Sequence, residues 1–124
     1  MTSVNEGGEN FRFASAASAR RRKYFEDYVA YLNPVCAEIK RDLPDAKLIA
    51  FGSAVRGDWD PLESDIDLLV ITQMAPQEDL ELAKMRVKWR QKSGGAPIEF
   101  HVVDPVTFKT WYEKFIDVKR EIDC

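Results

Sequence analysis

Long apolar runs are missing from this sequence. No stretch approaches the roughly 20 residues that a membrane-spanning helix needs, and the opening "MTSVNEGG" lacks the basic-then-apolar layout of a secretion signal. A cytoplasmic location with no membrane contact is therefore expected. An excess of one charge is missing too: 18 Lys and Arg stand against 21 Asp and Glu, a net charge of −3. That balance makes nucleic acid an unfavoured partner for the molecule as a whole. Cysteine is scarce. Cys36 and Cys124 form no CxxC and are far apart in sequence, which fits a reducing compartment better than a disulfide framework. Cys36, between Val35 and Ala37, reads as a small packed side chain. Repeats and low-complexity segments are absent.

What is present is the material for one domain. The chain of 124 residues can bury a single modest core, and its 31% charged content is that of a soluble globular protein. Residues 1–13 are rich in Gly, Asn and Glu and are expected to fray, leaving 14–124 as the folded unit. From about Ser15 a helix is expected, with Tyr24, Phe25, Tyr28 and Leu32 at three- and four-residue steps. Asn33-Pro34 suggests a break and a second helix over about 34–43, ended by Pro44. Strands are expected at about 47–52, 65–72 and 96–104. Between the last two, Ala83 to Arg90 alternates apolar and basic residues as a strand would. Pro76 with the acids after it, and Gly94-Gly95 at the far end, favour a helix instead. The tail from Pro105 repeats Phe108, Trp111 or Tyr112, and Phe115, and reads as an amphipathic helix whose aromatic stripe is core. The expected class is α/β (α+β): a small mixed sheet of at least three strands with helices packed against it.

Chemistry gathers in "FGSAVRGDWDPLESDIDLLVI". Gly52 follows an apolar strand, where a glycine lets backbone approach a ligand closely, and the Ser53 hydroxyl and exposed N–H groups suit phosphate oxygens. Asp65 and Asp67, two apart on a strand, point to one face, while Ile66, Leu68 and Val70 bury the other. Adjacent carboxylates repel, and a divalent cation reverses that repulsion. Alone, the pair could be a wet strand end. Glu99, an acid inside the apolar "PIEFHVV", shifts the balance if its strand lies beside the second. His101 shares the Glu99 side and could bond a phosphate, order a carboxylate, or simply be a satisfied sheet histidine. Two basic groups stand outside this cluster. "RRRK" at 20–23 reads as a solvated helix face, and the Lys84, Arg86, Lys88, Arg90, Lys92 series spreads around a helix.

Gly52-Ser53, then Asp65-Ile66-Asp67, then Ile98-Glu99-Phe100 resembles the DNA polymerase beta-type nucleotidyltransferase superfamily. The wording from Gly52 to Ile71 is similar to its minimal nucleotidyltransferase (MNT) branch, and the resemblance covers about residues 45–104. It implies that Gly52 and Ser53 hold a triphosphate. It also implies that Asp65, Asp67 and Glu99 are the catalytic acids and ligate Mg²⁺, with two ions expected. Many members carry Asp where this chain has Glu99. Arg56, at the arginine of the branch's Gly-Ser-x-x-Arg-Gly, would contact phosphate or pair with Asp58 or Glu63. The implied activity is transfer of a nucleoside monophosphate, AMP from ATP, to a hydroxyl with release of pyrophosphate. The implied partner is a small helical protein of the HEPN toxin kind, or a second copy of the chain. An antitoxin-like module that masks such a partner without turnover is the alternative.

Overall fold

The computed structural model describes residues 16–124; the frayed tail expected at 1–13 lies outside the described residues. Three strands fall where aliphatic residues crowd: β1 (Lys47–Phe51), β2 (Ile66–Ile71) and β3 (Ile98–Val103). A fourth, β4 (Lys119–Ile122), completes a sheet of order β3-β2-β1-β4. β1 is antiparallel to both β2 and β4, whereas β2 and β3 run parallel. A parallel pair needs a crossover, and α4 (Asp79–Gln91) supplies it, so the basic series is helical.

β4 corrects the expectation of a helix running to the end. The helical segment after β3 stops at Phe115, in three pieces: α5 (Pro105–Thr107), a π turn (Phe108–Tyr112) and α6 (Glu113–Phe115). The Asp104 carboxylate caps it, accepting the Thr107 N–H at 2.7 Å. Within β4 only Ile122 is buried, so the sequence carries no alternation to announce a strand. The N-terminal break also moves. The first helix, α1 (16–26), ends at Asp27, and α2 (Tyr28–Asp42) runs straight through Pro34. Proline leaves the carbonyl four residues back without its N–H partner. Here Ala30 and Pro34 both lie on the solvent side, where water meets that carbonyl, while Leu32, Val35, Cys36 and Ile39 face inward.

The sheet has two faces. Leu48, Ala50, Ile66, Leu68, Val70, Ile98 and Phe100 pack against α2 and Trp89 of α4 in the main core. The opposite face carries a smaller cluster, Ile49, Leu69 and Ile71, covered by Phe108, Tyr112 and Ile116. α2 and α4 are also tied by Asp42, whose carboxylate accepts from Lys88 Nζ at 2.6 Å and from the Trp89 indole at 2.9 Å.

The two cysteines are bonded to each other, which corrects the expectation of free thiols: Cys36 and Cys124 form a disulfide with Cα atoms 6.0 Å apart. Separation along the chain misled here. The β1–β4 pairing returns the C-terminus to the face where α2 packs.

Candidate active site

Gly52 closes β1 with a φ of +79°, in the left-handed region that favours glycine. Space demands glycine as well, because a Cβ there would overlap the Asp67 Oδ2 atom. The Gly52 carbonyl accepts the Val55 N–H at 3.1 Å and the Arg56 N–H at 3.0 Å, opening the single turn α3 (Ser53–Arg56). The first N–H groups of a helical turn have no acceptor within it, so the Ser53 backbone and hydroxyl are donors beside Asp67.

Asp67 and Glu99 are register partners on the parallel strands β2 and β3. That placement brings the third acid to the aspartate, as the sequence suggested. His101, two residues along β3, joins them. Its Nε2 lies 3.1 Å from Asp67 Oδ1 and 3.9 Å from Glu99 Oε1. One ligand atom from each of Asp67, Glu99 and His101 falls within 4.8 Å of the others, close enough to hold one metal ion. The imidazole is wedged between Phe51 and Tyr112, with ring centroids at 5.2 and 5.9 Å, so its orientation is fixed. Asp65 stands apart from that trio. It precedes β2, its side chain is 51% exposed, and its nearest cation is Arg21 at 3.9 Å. Asp65 and Glu99 instead line a second depression of about 500 Å³, with Arg90 on its rim.

A cleft of about 710 Å³ opens in front of the glycine turn, lined by Gly52, Ser53, Arg56 and Asp67 on one side. Tyr112, Trp111 and Phe115 line the other. Arg56 both faces this cleft and pairs: its Nε donates to the Asp58 carboxylate at 3.2 and 3.3 Å, and its Nη1 is 3.7 Å from Asp117. The pairing expected with Asp58 is present; the partner beside it is Asp117 rather than Glu63.

Arg20, Arg22 and Lys23 are exposed, as the reading of 20–23 as a solvated face expects, and Arg21 is the exception. Its guanidinium donates to the Leu62 and Ser64 carbonyls, the second at 3.0 Å, and so pins the loop that delivers Asp65 to β2. Nothing local in the sequence marks that role, since the contacts span more than 40 residues. The basic residues of α4 serve structure as well: Lys88 pairs with Asp42 and Glu38, and Arg90 lies 5.4 Å over the Phe100 ring.

The mixed four-stranded sheet, with a Gly-Ser turn facing acids on the neighbouring strands β2 and β3, defines an α+β domain of the nucleotidyltransferase type. The chain belongs to the nucleotidyltransferase domain family, whose model matches residues 32–124. It resembles a crystal structure named as a candidate nucleotidyltransferase, with 29% identity and a TM-score of 0.56. That match covers 72% of this chain and 94% of the other. A second such candidate, from Sulfolobus solfataricus, shares the fold at 17% identity and a TM-score of 0.50, covering 87% and 84% of the two chains. No curated protein matches the chain.

Proposed function

We propose that this nucleotidyltransferase catalyses Mg²⁺-dependent transfer of AMP from ATP to a hydroxyl acceptor. The observation that carries the reading is the register pairing of Asp67 with Glu99 in front of the Gly52 turn. The donor set suits the ion, because Mg²⁺ takes one or two carboxylates and fills its remaining positions with water and phosphate oxygens. Asp67 and Glu99 would hold it, with Asp65 as the outer acid. A bound ion would supply positive charge against the phosphates.

The chain's own groups do the rest. The Gly52-Ser53 turn presents N–H and hydroxyl donors to the triphosphate. His101 fixes the Asp67 carboxylate by its 3.1 Å contact. Glu99 is 57% exposed, lines the second depression and is the register partner of Asp67, which lines the cleft; in this reading it takes the acceptor's proton. The acceptor oxygen bonds to the α-phosphorus as the bond to the β-phosphate oxygen breaks, and pyrophosphate leaves. Positioning supplies most of the rate in such a site. The resemblance to the MNT branch supports a partner protein, a small helical HEPN-type toxin, as the source of the acceptor hydroxyl.

Calorimetric titration of ATP with and without Mg²⁺, on wild type and Asp67→Asn, tests the site. Tight binding only with the ion, lost in the variant, supports the reading; metal-independent binding refutes it. Labelled ATP incubated with the chain and a small helical HEPN-type protein tests the acceptor, and association without label transfer would instead favour masking.

A further inference from the structure

Trp111 and Phe115 are among the largest apolar side chains in the chain, yet they are 62% and 75% exposed. Their neighbours Phe108, Tyr112 and Ile116 all pack on the sheet, so the segment has a core face and these two rings are not on it. The π turn helps to separate the two sets. The Glu113 N–H reaches back five residues to the Phe108 carbonyl, which widens the turn and offsets Trp111 from Tyr112. Such turns recur at functional sites. Trp111 and Phe115, four apart, therefore sit together on the wall of the cleft that Gly52, Ser53, Arg56 and Asp67 also line.

We propose that Trp111 and Phe115 form a stacking platform for the nucleobase, making purine nucleoside triphosphates the preferred substrates of the cleft. This rests on the reading of the Gly52 end as the triphosphate site. A cleft lined by both phosphate donors and two exposed aromatic rings matches a nucleotide, which is charged at one end and flat and apolar at the other. Aromatic rings take any base by its π-face, so selection follows ring area. Edge recognition is sparse. Thr107 is the other polar group on that wall, and Asp117 is already engaged, its Oδ1 accepting the Val118 N–H at 2.8 Å and lying 3.7 Å from Arg56 Nη1.

The test compares ATP, CTP and inorganic tripolyphosphate, each with Mg²⁺, by calorimetry and by tryptophan fluorescence. Trp89 is fully buried and Trp59 is stacked on Phe25, so quenching by a base reports Trp111. Wild type should bind ATP more tightly than CTP, and CTP more tightly than tripolyphosphate. Trp111→Ala should weaken ATP about tenfold, the scale of one lost stacking contact, and leave tripolyphosphate unchanged. Trp111→Phe should keep most of the ATP affinity. Phe115→Ala, also at an exposed position, repeats the measurement independently. Unchanged ATP affinity in both alanine variants, or equal losses for ATP and tripolyphosphate, overturns the platform. So does a variant that binds ATP normally but loses self-association in ultracentrifugation, because the patch is then an interface. A wild type that binds neither ATP nor tripolyphosphate refutes the triphosphate site itself, and the platform falls with it.

Discussion

At the scale of single residues, the site depends on one missing side chain. Gly52→Ala would place a methyl group against the Asp67 carboxylate and force alanine to a φ of +79°. The backbone strain alone costs about 1–2 kcal/mol, and the aspartate must move besides. A lowered Tm together with lost Mg²⁺-dependent ATP binding is expected, read by thermal denaturation and calorimetry. Asp67→Asn separates the two effects. It keeps the shape and relieves repulsion between neighbouring acids, so Tm should hold while turnover, measured as pyrophosphate release, falls by a hundredfold or more. The residue types of this site were legible because the chemistry restricts them: a glycine at a strand end, acids at alternate positions, an acid in an apolar run. The standing of Asp65 was not. Same-face alternation placed it with Asp67, but Arg21 and a position outside β2 set it apart. Contacts that cross 41 and 43 residues leave no local trace.

At the scale of elements, α2 and α4 are clamped by the half-buried Asp42 and its partners Lys88 and Trp89. Burial pushes the Asp42 carboxyl up, but hydrogen bonds from Lys88 and Trp89, with the charges of Lys88 and Arg41, outweigh it and hold Asp42 below its ordinary value of 3.8. Asp45 follows the same pattern: burial raises it, while bonds from Thr72 and the Gln73 N–H lower it further. A carboxyl depressed on folding stabilises the protein above its unfolded value and loses that contribution as pH falls through the folded one. Stability should therefore fall below about pH 3.8, and Asp42→Asn should flatten that acid limb while lowering stability at neutral pH by about 1 kcal/mol or less, because solvent screens the exposed Lys88 partner. Urea titrations from pH 7 down to 3 would show both. Strands β1 and β2 were readable because burial on both faces leaves nearly continuous aliphatic runs, and β3 because β-branched and aromatic residues crowd it. β4 was not, since three of its four residues face water. Pro34 misled for a related reason: its helix-breaking effect is local, whereas the burial of Leu32, Val35, Cys36 and Ile39 carries α2 through it.

At the scale of the whole molecule, the Cys36–Cys124 bridge closes nearly the entire described chain, a separation of 88 residues. A cross-link of that span typically contributes about 2–4 kcal/mol, largely by restricting the unfolded chain. A reductant should lower Tm markedly, with thiol alkylation and mass measurement confirming that the bridge has opened; an unchanged Tm would show that β4 holds its place without it. The pairing of Asp67 with Glu99 has a different reach. Neighbouring strands repeat at about 4.8 Å whatever their side chains, so backbone hydrogen bonding acts as a ruler that sets the gap between the two acids. Substitutions in the helices that cover the sheet can reshape what the cleft admits without altering that gap. A slip of β3 by a single residue would turn Glu99 to the core face and erase the site in one step. On the proposed reading, reactivity and selectivity would be housed in separate parts of the chain, the first in the sheet and the second in the helical segment laid across it.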